Sequence, residues 1–194
     1  MNINHILVVT AEPKSIFLEI LFKYLNSNEK IKGKKITLIG NSNLILNDAK
    51  KFKFKKKFIE IFNIKDAKKN QINLINIKIN NKKKISSYIS ECFDKCLSIL
   101  KQNKDAILFN GPVNKKTFLK KKYLGVTEYL AENTNSKNPV MLIYNDKISV
   151  SPITTHLPIK YVAKNINKKK IVQNVLEINS FYKNKIKKKP KIAI

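Results

Sequence analysis

Short β-branched runs alternate along the chain with stretches whose apolar residues recur every three or four positions. The first run, His5 to Thr10, closes at Ala11-Glu12-Pro13, after which Ser15 is placed to cap a helix carrying Ile16, Ile20, Phe22 and Leu25 inward. Lys35 to Ile39 repeats the strand signal before Gly40-Asn41-Ser42, and Leu44 to Lys51 is short and helical. Phe58 to Phe62 and Asn73 to Ile79 alternate or run apolar, as strands do. From Lys84 to Gln102 the positions Ile85, Ile89, Cys92, Phe93, Cys96, Leu97 and Leu100 keep a helical period, and Asp105 to Phe109 follows as a buried strand. Interleaved elements of this kind predict an α/β sheet.

Further along, Val140 to Tyr144 and Ile148 to Ile153 read as two strands around an Asn145-Asp146 turn. The second delivers Thr154, Thr155 and His156 to a loop, and Pro158 then opens a helix toward Ile166. Lys170 to Lys185 predicts an amphipathic helix with Ile171, Val175, Ile178 and Phe181/Tyr182 on one side, before a last strand at Lys191 to Ile194. The loop Asn110 to Asn114 leaves the carboxyl end of a strand, where open α/β sheets gather their ligands. Gly111, Pro112 and Lys115 therefore form a candidate anion or cofactor contact, although a plain strand-to-helix turn needs the same residues.

Composition narrows the class. A chain of 194 residues with 43% hydrophobic content can bury one substantial core. No run of about 18 apolar residues occurs, and Ile6-Leu7-Val8-Val9 has neither the length nor the cleavage pattern of a signal peptide. A soluble, cytoplasmic protein with no membrane contact is expected. Cys92 and Cys96 share one helix face without a Cys-x-x-Cys partner or a neighbouring histidine, so they read as small core residues rather than a metal or redox pair.

Charge is the other strong signal: Lys plus Arg total 40 against 13 acidic residues, a formal balance of +27. Every one of the basic residues is lysine, and without arginine's planar fork sequence-specific nucleic-acid recognition is not expected. The lysines travel with asparagine and isoleucine in all elements, the pattern of an adenine- and thymine-rich coding bias. Solvated lysine faces are the expectation, with a polyanion-binding surface as the alternative.

Of the two histidines, His5 reads as structural, whereas His156 sits on a loop after an apolar run. A neutral imidazole so placed can hold a divalent metal through one nitrogen while an acceptor holds the other. One histidine does not make a metal site alone, so ligation stands beside a structural or surface role.

Three ordered segments carry a resemblance: Gly111-Pro112-Val113-Asn114-Lys115, Gly125-Val126-Thr127-Glu128-Tyr129 and Thr154-Thr155-His156-Leu157-Pro158. Together with Ala11-Glu12-Pro13-Lys14-Ser15-Ile16-Phe17-Leu18-Glu19, the set is similar to the 4-hydroxythreonine-4-phosphate dehydrogenase family of pyridoxine biosynthesis. That resemblance implies an isocitrate/isopropylmalate-dehydrogenase-like fold, a three-layer sheet with helices on both faces. It implies NAD- or NADP-linked oxidation and decarboxylation of 4-hydroxythreonine 4-phosphate to 3-amino-2-oxopropyl phosphate, with a divalent metal (Zn, Mg or Co) at the site. By the same resemblance His156 is a metal ligand, Thr127 binds substrate, and Lys115 is a further substrate contact. Homodimers sharing the active site across the interface are implied as well.

Departures from the family pattern are specific. Val126 stands where the family has a substrate-binding histidine, and Ala11, Ser15 and Phe17 replace early glycines. The family's Gly-Leu-Asn-Pro-His segment would begin just past Ile194. Residues 1–194 are accordingly expected to be the amino-terminal three-fifths or so of such an enzyme, a fragment with the carboxyl-terminal part missing and inactive alone. The alternatives are a divergent relative acting on another phosphorylated hydroxy acid and a non-enzymatic basic polyanion-binding protein.

Overall fold

The protein was analysed as a computed structural model describing residues 3–27, 33–79, 84–119 and 122–194. It divides into two compact units, residues 2–120 and 121–194.

In the first unit five parallel strands form one sheet in the order β3-β4-β2-β1-β5, built from β1 (His5–Val9), β2 (Lys35–Gly40), β3 (Phe58–Glu60), β4 (Ile72–Asn76) and β5 (Ala106–Asn110). β1 lies between β2 and β5, with His5 opposite both Lys35 and Ala106. Parallel strands need covering on both faces, which explains the near-continuous apolar runs. Alternation sends Val8, Leu38 and Leu74 to one face, where they join the core with α1 (Phe17–Ser27) and α2 (Ser42–Lys51). Leu7, Val9 and Ile39 point the other way, toward α3 (Ile85–Gln102), which packs on β1, β2 and β5. The expected three-layer α/β arrangement, with helices on both faces, is what forms.

Local chemistry explains the helix ends and faces. Asn41 caps α2 by accepting the Leu44 N–H at 3.1 Å. Helix α1 buries Leu18, Leu21, Phe22 and Leu25; Phe22 and Leu25 face inward as read from the sequence, whereas Ile16 and Ile20 stay exposed. Ile16 to Phe22 is apolar at every position but Glu19, so two stripes compete; Phe17-Ile20-Leu21-Tyr24 and Leu18-Leu21-Phe22-Leu25 both keep the i, i+3, i+4, i+7 spacing, and the second, apolar throughout, is the one buried. Phe22 stacks at 4.6 Å on Phe54 and meets Phe58 edge-on at 6.2 Å, closing the core under β3. Cys92 and Cys96 are fully buried free thiols on α3, each pushed up to about 12 by burial, so both remain small protonated core groups. Strand β5, expected to be buried, is a sheet edge that leaves Ile107 and Phe109 exposed.

The second unit is less regular. It holds α4 (Val126–Asn133), α5 (Ile159–Val162) with a 3-10 turn at Ala163–Asn165, and α6 (Lys168–Phe181), which ends in a π turn at Tyr182–Ile186. Asn167 caps α6 by accepting the Lys170 N–H at 2.9 Å. The two strands predicted around Asn145-Asp146 shrink to a single antiparallel bridge, Ile143 with Val150, joined by hydrogen bonds of 2.8 and 3.0 Å. Ser149 explains this: its hydroxyl accepts the Asn145 N–H and donates to the Asn145 carbonyl, replacing ladder bonds with local ones. Residues Lys191 to Ile194, read as a strand from the sequence, form none.

Two buried polar groups tie sequence to stability. His5 Nε2 lies 2.7 Å from Thr37 Oγ1, and burial, helped by Lys35 and opposed by Asp105, lowers its imidazole from 6.5 to about 4. The unfolded chain takes up the proton first, so this contribution is complete above pH 6.5 and is lost as pH falls toward 4. Urea unfolding at pH 7 and pH 5 is expected to show about 2 kcal/mol more loss in the parent than in His5→Gln. At Gly40 an added Cβ would collide with Thr10 Oγ1 and come within 3.0 Å of the Tyr88 phenol oxygen. Gly40→Ala is expected to cost about 2–3 kcal/mol of unfolding free energy by overpacking, read from the denaturation midpoint.

Candidate functional site

Strands β1 and β5 run side by side and in register, so their carboxyl ends release two loops together. Residues 11–15 follow β1, and residues 111–115 follow β5. The loops are joined: Glu12 donates its N–H to the Pro112 carbonyl at 3.3 Å, and the Glu12 carboxylate accepts the Asn114 N–H at 3.3 Å. A Cβ at Gly111 would stand 2.8 Å from both the Phe17 ring and the Thr10 carbonyl, so glycine is required by close approach. Asn114 Oδ1 accepts the Lys116 and Thr117 N–H groups at 3.0 and 3.2 Å, which fixes the turn that presents exposed Lys115. Ala11 adopts φ 53° at a position where the resembled motif has glycine, a conformation costing about 1–2 kcal/mol in an L-residue. On the other side of this loop a cavity of about 90 Å³ is lined by Thr10, Ala11, Lys14, Asn41, Asp48 and Tyr88. The Tyr88 phenol, raised well above its ordinary value by burial, accepts the Asn41 N–H at 2.8 Å and so ties α3 to the start of α2.

The remaining candidates lie in the second unit. Gly125 is buried and precedes α4, so half-buried Val126 and exposed Thr127 occupy its first turn. His156 is exposed and held at φ 56° in the left-handed region. The point where a Cβ would stand on Gly125 lies 3.0 Å from Glu128 Oε2 and 3.7 Å from His156 Nε2. Two motifs distant in sequence therefore converge on one glycine. Glu128 Oε2 is buried, and among the described residues it has no hydrogen-bond partner. Lys115 belongs to the other unit, where the Glu12–Asn114 contact organises its loop.

Glu128 was not singled out by sequence reading, although its signal was available: it is the third residue after the helix start at Gly125, a position at which acids recur. No group of three or more histidine, cysteine, aspartate or glutamate side chains gathers to hold a metal among the described residues. The imidazole of His156 and the carboxylate of Glu128 are two donors of the types divalent metals accept, and they fit part of such a site.

A parallel sheet covered on both faces, with paired loops at its carboxyl edge, defines the first unit as an α/β fold. The chain belongs to the family described as pyridoxal phosphate biosynthetic protein PdxA, whose profile matches residues 32–194. It is 33% identical over 199 residues to the 4-hydroxythreonine-4-phosphate dehydrogenase of Sulfurihydrogenibium sp. (strain YO3AOP1), covering 96% of this chain and 61% of that protein. The enzyme of that name from Aquifex aeolicus (strain VF5) is 25% identical, with 96% of this chain and 60% of that protein covered. A D-threonate 4-phosphate dehydrogenase from Pectobacterium atrosepticum is 26% identical over 106 residues, covering 53% of this chain and 32% of its own. Among solved structures, that of a 4-hydroxythreonine-4-phosphate dehydrogenase from Salmonella typhimurium superimposes with a TM-score of 0.77 at 18% identity, over 93% of this chain and 60% of that one. The chain thus spans about three-fifths of the length of the relatives it matches most fully. Among the described residues no helix is long and apolar enough to cross a membrane.

Proposed function

We propose that residues 1–194 supply the amino-terminal part of an NAD- or NADP-dependent 4-hydroxythreonine-4-phosphate dehydrogenase, working in the cytoplasm as a homodimer. The observation that carries this reading is the meeting of the Gly125 helix start with His156, because it joins two of the motifs that define the resemblance. Family membership and the names of the relatives support it. The reaction would take a hydride from the substrate's carbinol carbon while its hydroxyl gives up a proton, leaving a β-keto acid; loss of carbon dioxide and protonation of the resulting enolate would yield 3-amino-2-oxopropyl phosphate. With His156 among its holders, a divalent metal would supply Lewis acidity for the carbonyl and the enolate, and a nicotinamide would supply the hydride acceptor.

The chain's own groups have definite parts in this scheme. His156 offers one imidazole nitrogen as a ligand. Thr127, exposed on the first turn of α4, offers a hydroxyl to the substrate. Lys115, in the other unit, carries an ammonium of the kind that suits a phosphate. Val126 is the exception, since an isopropyl group neither donates a hydrogen bond nor carries charge. That substitution favours a second reading, the same chemistry on another phosphorylated hydroxy acid, and the D-threonate 4-phosphate dehydrogenase among the relatives is consistent with it.

Formation of NADH by the product of the whole reading frame, with 4-hydroxythreonine 4-phosphate and Zn²⁺, Mg²⁺ or Co²⁺, tests the proposal. His156→Ala is expected to lower kcat/KM by at least about 100-fold, in keeping with loss of a metal ligand. Turnover equal to the parent's would exclude the ligand role. Val126→His is expected to lower KM for this substrate about 10-fold, the worth of one charge-assisted hydrogen bond. An unchanged KM, together with faster turnover of D-threonate 4-phosphate, would move the assignment to the second reading.

A further inference from the structure

Glu128 stands in the Gly125–Tyr129 motif, yet the proposed chemistry gives it no part. Its Oε2 is buried without a partner among the described residues, and an acceptor-only group left so costs free energy. It does not close a capping box on the helix it begins, because Oε2 takes no N–H there. Near the same point, where a Cβ of Gly125 would stand, lies the Nε2 of His156, a ring that carries one N–H in its neutral form. His156 is held at φ 56°, a backbone state that histidine occupies sparsely and that surrounding structure must maintain.

We propose that Glu128 is the positioning residue for His156, its carboxylate accepting the imidazole Nε2–H so that Nδ1 is presented to a divalent cation. The proposal rests on the reading of His156 as a metal ligand. Histidines that bind metals commonly give their other N–H to a carboxylate, which sets the tautomer, orients the ring and raises its basicity. Three features of the chain suit that role. Glu128 rides on the first turn of α4 rather than on a loop, and the next residue, Tyr129, is buried and anchors the turn. Gly125 leaves room for both groups, because a methyl there would lie 3.0 Å from Oε2 and 3.7 Å from Nε2. Closing the contact also removes the one orphaned carboxylate oxygen of this unit's described residues.

Two readouts on the 194-residue chain test it: the tautomer of His156 from ¹⁵N-histidine spectra without metal, and the affinity for Co²⁺ followed by paramagnetic broadening of the His156 ring. In the parent, His156 is expected as a single Nε2–H tautomer. Glu128→Ala is expected to give a tautomer mixture and to weaken Co²⁺ about 10- to 100-fold. Glu128→Gln, which keeps an acceptor oxygen, is expected to restore the tautomer and part of the affinity. Identical tautomer populations in parent and Glu128→Ala would overturn the proposal, as would a lowered melting temperature with Co²⁺ affinity unchanged, the result of a capping role. If His156→Ala keeps the parent's Co²⁺ affinity, the metal reading of the preceding section fails, and the tautomer comparison alone decides whether Glu128 holds the ring.

Discussion

The first unit depends on β1 being hydrogen-bonded on both sides. Its neighbours β2 and β5 run parallel to it and in register, and helices cover both faces of the central strands. A strand so enclosed can carry no unsatisfied polar group, and the polar residues it does hold are paired: His5 meets Thr37, and Thr10, just past its end, donates to the Ile39 carbonyl. Parallel pairing also means that β1, β2 and β5 all end at the same edge. The loops after β1 and β5 become neighbours for that reason, and the Glu12–Asn114 and Glu12–Pro112 hydrogen bonds follow from it.

Glycine marks the points where this arrangement is tightest. Gly40 and Gly111 admit side chains from adjacent strands and helices where a Cβ would collide, and Gly125 leaves room for Glu128 and His156. Only four glycines occur in the whole chain, and three of them stand at these approaches. Ala11 shows the opposite case, an L-residue kept in a left-handed conformation that the resembled motif assigns to glycine. The loop keeps its path because the hydrogen bonds from Glu12 and the packing of Phe17 against Phe109, with ring centres 5.8 Å apart, hold it on both sides.

The second unit is held differently. Side chains bond locally to backbone, as Ser149 does with Asn145 and Ser151 with the Met141 carbonyl, and ladder pairing is reduced to one bridge. Large apolar residues such as Ile148 and Ile159 remain exposed. Within it, the polar corner around Gly125 concentrates the chemistry: an exposed imidazole, a threonine hydroxyl on a helix's first turn, and a buried carboxylate.

Periodicity in the chain was enough to determine that α and β elements alternate and that α3 presents Ile89, Cys92, Phe93, Cys96 and Leu97 to a core, because these signals are local to one element. The ordered motifs were enough to bring His156, Thr127 and Val126 forward and to identify the family resemblance. Which of two apolar stripes on α1 faces inward, that β5 is an edge, and that the Val140–Ile153 region makes one bridge instead of two strands were decided by tertiary structure. Each depends on what lies across from the residue, and spacing along the chain does not encode that. Glu128 is the clearest instance. In sequence it is one more acid in the first turn of a helix, and only the fold, by bringing a histidine 28 residues away to the same glycine, leaves its carboxylate buried near an imidazole.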